Sequence, residues 1–161
     1  AARALAWTHG ADALKALAAV VRDTTDDFDL RRFAAEALRG TQDADALKAF
    51  AAVVKDTKDI VVVRHEAAKA LAQIGTQDAH ALDAFAAVVQ DTDDDIDLRK
   101  LAAEALTGAQ DADALKTWVA VVQDATDYID LRQFAAKALT GTQDADALKA
   151  LVAVVQNKRD D

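Results

Sequence analysis

GTQDADALKAFAAVV at 40–54 returns as GTQDAHALDAFAAVV at 75–89, GAQDADALKTWVAVV at 108–122 and GTQDADALKALVAVV at 141–155. Aligned on their leucines, Leu47, Leu82, Leu115 and Leu148 are 35, 33 and 33 residues apart, and Leu14 stands 33 before Leu47. A period of this size marks stacked supersecondary units rather than one globular core. Within the block, Leu47, Phe50, Ala51 and Val54 recur at helical spacing and make one apolar stripe, helix A. Thr41 or Asp43 can accept hydrogen bonds from the first free amides of that helix, and acidic side chains there favour the positive end of the helix dipole.

A second apolar pattern follows each helix A, clearest in Asp29-Leu30-Arg31-Arg32-Phe33-Ala34-Ala35-Glu36-Ala37-Leu38-Arg39-Gly40. Leu30, Phe33, Ala34, Ala37 and Leu38 share one face, and Gly40 supplies the left-handed residue that closes a helix. Gly75, Gly108 and Gly141 repeat the closure, each two or three residues before the next helix A, which predicts a short turn between antiparallel neighbours. Each unit is thus a helical hairpin. Helices this short are marginal alone, so each hairpin must lean on the next. The predicted fold is an all-α solenoid, a right-handed superhelix of stacked antiparallel hairpins with about 33 residues per repeat. It fills one domain, 1–161, as a partial unit 1–10, repeats at about 11–40, 41–75, 76–108 and 109–141, and a terminal helix 142–157. Leu17, Phe50, Phe85, Trp118 and Leu151 occupy one repeat position, so Trp118 reads as core; Trp7 lies in the degenerate first unit.

Composition sets the class of partner. With 52% hydrophobic and 29% charged residues the chain is globular rather than disordered. A net charge of −9 argues against nucleic acid and anionic membrane, both bound by concentrated Lys and Arg. No apolar run approaches the roughly 20 residues of a membrane helix, and no leader pattern stands out. Cysteine is absent, which excludes disulfides and thiolate chemistry and fits a cytoplasmic setting. Of the acidic residues only Glu36, Glu66 and Glu104 are glutamates; capping by Asp explains the bias, with a salt-adapted source as the other reading.

No catalytic set emerges. There is no serine, no cysteine and no glycine-rich phosphate loop. The three histidines, His9, His65 and His80, sit at unrelated repeat positions. The alternating aspartates of 91–97 suggest a calcium loop, but Ile96 stands where its glycine belongs and Ala102 where its bidentate glutamate belongs. The expectation is therefore no enzyme, no cofactor and no metal site.

Val63-Arg64-His65-Glu66-Ala67-Ala68-Lys69-Ala70-Leu71-Ala72-Gln73-Ile74-Gly75 closely resembles the second helix of HEAT-like repeats, particularly the short repeats of phycobilin lyases and deoxyhypusine hydroxylase. DLRRFAAEALRG, DLRKLAAEALTG and DLRQFAAKALTG carry the same resemblance across nearly the whole chain. It implies that the arginine after the apolar residue, here Arg31, Arg64, Arg99 and Arg132, ties adjacent repeats through an aspartate as a structural ladder. It also implies a lyase-like factor or a fragment of a metal hydroxylase as the alternative function. The hydroxylases hold iron with several His-Glu pairs, whereas only His65-Glu66 is present here and its equivalents are Arg32-Phe33, Lys100-Leu101 and Gln133-Phe134. Neighbouring helical residues also point about 100° apart and rarely grip one ion together. A third reading, DNA binding as in alkyl-purine glycosylases with similar repeats, needs a basic groove that the acidic balance opposes.

The leading reading is a non-catalytic scaffold for a protein or peptide. Its predicted contact face is the stripe of helix B opposite the core, namely Arg32, Glu36 and Arg39, then His65 and Lys69, then Lys100, Glu104 and Thr107, then Gln133, Lys137 and Thr140; a merely solvated face is the plainer alternative. The longer helix at 64–75 is expected to bend the superhelix locally. Residues 1–7 align with 34–40, and the chain closes after a helix A. With no methionine present, the sequence reads as a natural fragment, a processed chain or an engineered array, and its half-units suggest head-to-tail self-association.

Overall fold

Three helices of the first layer begin where an aspartate meets open amides, whereas the first, which follows Gly10, has no side-chain cap. Asp43 Oδ1 accepts from the Asp45 and Ala46 N–H groups at 3.1 and 3.0 Å, Asp78 does the same for His80 and Ala81, and Asp144 for Asp146 and Ala147. Thr41 shares the task, its Oγ1 accepting from the Asp43 N–H at 3.2 Å. At the other end of the hairpin Gly40 and Gly141 adopt φ of +79° and +86°, the left-handed turn that stops a helix and reverses the chain. The matching turns at Gly75 and Gly108, together with Trp7 and His9, lie outside the described residues.

The computed structural model describes the backbone of residues 10–74, 78–107, 109 and 112–157. These residues form nine helices and no strand: α1 Ala11–Arg22, α2 Phe28–Ala37, α3 Ala44–Lys55, α4 Val61–Ile74, α5 Ala79–Gln90, α6 Ile96–Leu106, α7 Ala112–Gln123, α8 Ile129–Ala138 and α9 Ala145–Asn157. The odd-numbered helices pack in a row, each on the next, and the even-numbered ones make a second row beside them. Within each hairpin α1 packs on α2, α3 on α4, α5 on α6 and α7 on α8. The fold is an all-α solenoid of two helical layers. The longest helix, α4 with 14 residues, falls in the repeat that is two residues longer than its neighbours.

Its core is one continuous seam between the layers. Leu17, Phe50, Phe85 and Trp118 occupy the same repeat position and are all buried, with Leu151 half-buried at the end of the stack. Alanine fills most of the remaining buried positions, among them Ala34, Ala67, Ala102 and Ala135, which lets neighbouring helices approach closely. Among the described residues no helix is long and apolar enough to cross a membrane.

Candidate interaction surface

Each helix of the second layer plants an arginine where two repeats meet. Arg31 donates from Nε and Nη2 to the Val21 carbonyl at 3.1 and 2.9 Å, one of the open carbonyls at the C-terminal end of α1. Its Nη1 reaches Asp59 Oδ1 in the following repeat at 2.7 Å. Arg64 binds the Val54 carbonyl and Asp94, and Arg99 binds the Val89 carbonyl and Asp127, with the same atoms in the same roles. The three guanidinium groups are almost wholly buried. Each is bidentate toward its carboxylate, a geometry that lysine cannot copy.

The aspartates of this ladder also shape the helix that follows them. Asp59, Asp94 and Asp127 each accept from the next backbone N–H at 2.7 Å. Burial pushes the Asp59 carboxyl up, but the Arg31 guanidinium and the Ile60 amide outweigh it and hold it below the usual carboxylate range. The same contact holds Arg31 above its ordinary value. Arg132 differs: its Nη2 lies 3.5 Å from the Val122 carbonyl, and its buried Nε finds no hydrogen-bond partner.

The predicted contact stripe lies on the outer side of the second layer, and three of its members, Arg39, His65 and Lys100, each reach a carboxylate of the next repeat that lies outside the stripe. Arg39 in the first hairpin pairs with Glu66 in the second at 2.7 Å, and Lys69 closes on the same glutamate at 3.0 Å. Burial raises the Glu66 carboxyl while Lys69 and Arg39 lower it further, leaving it below its ordinary value. His65 Nε2 meets Asp95 Oδ1 at 3.0 Å, and Lys100 approaches Asp130 at 3.4 Å. Asp95 is held below the usual carboxylate range by its hydrogen bond with His65, helped by the Leu98 N–H that it caps. Arg32 lies over the Phe33 ring, 4.7 Å from its centroid. Thr107 and Thr140 turn their hydroxyls back onto the Ala103 and Ala136 carbonyls, at 2.9 and 3.1 Å. Glu36, Glu104, Gln133 and Lys137 remain exposed.

Sequence spacing places these residues on one face, but it misses their pairing. The partners Asp95 and Asp130 come from the turns of the next repeat, and only stacking brings them near. His65 and Glu66 accordingly face different neighbours, Asp95 and Arg39. In the turn 91–97 three of the five carboxylates are already engaged: Asp91 receives the Asp93 N–H, Asp94 holds Arg64 and Asp95 caps α6. Among the described residues no three side chains of metal-binding type converge.

A family model described as HEAT repeats matches residues 23–97, which span α2 to the start of α6. No curated protein and no solved structure matches the chain.

Proposed function

We propose that this array of HEAT-like repeats is a non-catalytic scaffold that presents the outer face of its second helical layer to a protein or peptide. HEAT repeats commonly mediate protein–protein interaction, and residues 23–97 carry that repeat. The observation that supports the assignment to this face is the cross-repeat pairing of Arg39 with Glu66, His65 with Asp95 and Lys100 with Asp130. Such pairs set the side chains of successive repeats in fixed register, which lowers the ordering cost of binding along the ribbon. Glu36, Glu104, Gln133 and Lys137 then stand free between them as contact residues, while Arg31, Arg64, Arg99 and Arg132 serve the architecture. A screen of a displayed random-peptide library tests this reading. Selected binders should lose affinity when Glu36, Glu104 and Lys137 are reversed in charge and keep it when Lys15, Lys48 and Lys116 on the first layer are reversed. The opposite pattern overturns the assignment, and stoichiometric iron in the purified protein would restore the metal-hydroxylase reading.

A second reading, head-to-tail self-association, is favoured by α9. Val155 is 58% exposed, whereas its equivalents Val54 and Val89 are fully buried. Leu148 and Val152 extend the same uncovered face. Sedimentation across a wide concentration range checks it: a mass that rises with concentration and returns to one chain in Val152→Glu supports association, and a constant mass removes it.

A further inference from the structure

The turns that join the two layers end in a position at which the sequence departs from its own rule. In the first and third hairpins this position is aspartate, and it caps the second helix: Asp27 accepts from the Asp29 and Leu30 N–H groups at 3.0 and 3.3 Å, and Asp95 accepts from Leu98 at 2.9 Å. In the second and fourth hairpins the same position holds Ile60 and Tyr128, and Tyr128 makes no side-chain cap. Both are about half exposed, and they continue into exposed Val61 and Val62 and exposed Ile129. A capping aspartate has been replaced twice by a large apolar side chain that buries little of itself. Local stability and solubility both argue against such a choice, and a surface that needs apolar contact argues for it.

The surroundings say what kind of partner suits these steps. The four turns with their following residues, 23–29, 56–62, 91–97 and 124–130, hold fourteen aspartates against one lysine, Lys58. Arg31, Arg64 and Arg99 hold one aspartate each inside the stack, and Arg32, His65 and Lys100 reach Asp29, Asp95 and Asp130 at the surface, which leaves eight of the fourteen without a basic partner among the described residues. Between the two apolar steps lies the most acidic turn, and a cleft of about 500 Å³ opens there, lined by Val61, by Asp91, Asp93 and Asp95, and by the Arg64–Asp94 pair. An apolar step bordered by Asp91 and Asp93, which no basic side chain among the described residues reaches, repels phosphate and attracts cations.

We propose that this edge of the solenoid is a docking strip for an extended, lysine- or arginine-rich segment of a partner protein, with apolar residues seated on Ile60–Val62 and on Tyr128–Ile129 and its cations over the turn 91–97. The spacing follows from the stack. Two repeats separate the steps, and helices packed at 8–10 Å place them about 16–20 Å apart. An extended chain at about 3.3 Å per residue covers that in five or six residues. This surface uses none of the ribbon's own side chains and meets it at Asp95 and Asp130, the carboxylates that His65 and Lys100 reach.

The test uses the full chain and a labelled peptide with two phenylalanines five residues apart and lysines between them, read by fluorescence anisotropy. A control peptide replaces both phenylalanines with serine. Ile60→Asp with Val62→Asp gives the second hairpin the residues that the third already carries, so the fold should hold and the melting temperature should rise through the restored cap. This variant makes the strip more acidic and less apolar, which separates the two contributions. The expected result is binding of the phenylalanine peptide at least tenfold tighter than the serine control, weakened at least tenfold by the double substitution and again by Tyr128→Asp. Equal affinity for both peptides, tighter binding to the double variant, or no binding at about 1 mM peptide overturns the proposal. Loss of binding on reversing Glu36 and Lys137 assigns the peptide to the ribbon instead, and displacement by millimolar calcium that ignores the anchors assigns the cleft to the ion.

Discussion

Arg31, Arg64 and Arg99 each complete their own hairpin through a helix-end carbonyl and grip the next through a carboxylate, all without access to water. Removing one partner strands a buried charge. Asp59→Ala should therefore cost about 3–5 kcal/mol in urea unfolding, while the apolar pair Arg31→Met with Asp59→Leu should cost far less. A penalty no larger than that of an exposed pair such as Lys116–Asp113 would show that the ladder is not holding the repeats. Protonation tests the same contacts. Asp59, Glu66 and Asp95 all have carboxyls below their ordinary values when folded, so the unfolded chain binds protons first and stability rises with pH across that window. The melting temperature should hold steady above about pH 5 and fall as pH drops through about 4 and below. In Asp59→Asn, that acid limb should be shallower. Trp118 is a different case: it fills a phenylalanine position, and its buried Nε1 has no acceptor. Trp118→Phe removes the orphaned donor and should stay within about 1 kcal/mol of the parent, whereas Trp118→Ala should lose about 3–5 kcal/mol.

Helices begin and end here by devices that a sequence displays openly, which is why the elements were legible. Asp43 before an apolar stripe and Gly40 after one are local signals, and both act as local chemistry requires. Gly40 has open space where a Cβ would sit, so Gly40→Ala should cost about 1–2 kcal/mol from the left-handed backbone alone, with no steric addition. Chemical denaturation measures it, and a loss beyond 3 kcal/mol would mean that the turn is crowded after all. The surface was less legible than the elements. The outer ribbon could be drawn from helical spacing, since Arg32, Glu36 and Arg39 are three or four residues apart. Its pairing could not, because His65 and Asp95 are 30 residues apart and meet only through the offset between repeats. The apolar steps at Ile60 and Tyr128 carried a readable signal in their departure from Asp27 and Asp95. Its meaning depended on knowing that the position is a helix cap left open to solvent.

A stack in which each unit touches only its neighbours distributes stability along its axis. Hairpins in the middle are covered on both sides, whereas α9 is covered on one: Val152 and Val155 are exposed at positions whose equivalents Ala51 and Val54 are buried. Arg132 compounds the difference, since its guanidinium has no carboxylate partner among the described residues to fasten the last repeat as Arg99 fastens the one before. Opening of α9 then breaks one helical interface and no buried ion pair, while opening of α4 breaks interfaces on both sides and the pairs made by Arg31 and Arg64. Native-state hydrogen exchange should follow that order, with the slowest amides in α3 to α6 and the fastest helical amides in α9. Asp94→Ala should shift the pattern more than any change in α9, because it removes a central tie; protection in α5 to α8 should fall relative to α1 to α3, and unfolding should broaden toward two steps. Uniform exchange along all nine helices, unchanged by Asp94→Ala, would mean that the repeats melt as one body and that coupling resides in the shared alanine-rich seam rather than in the arginine ladder.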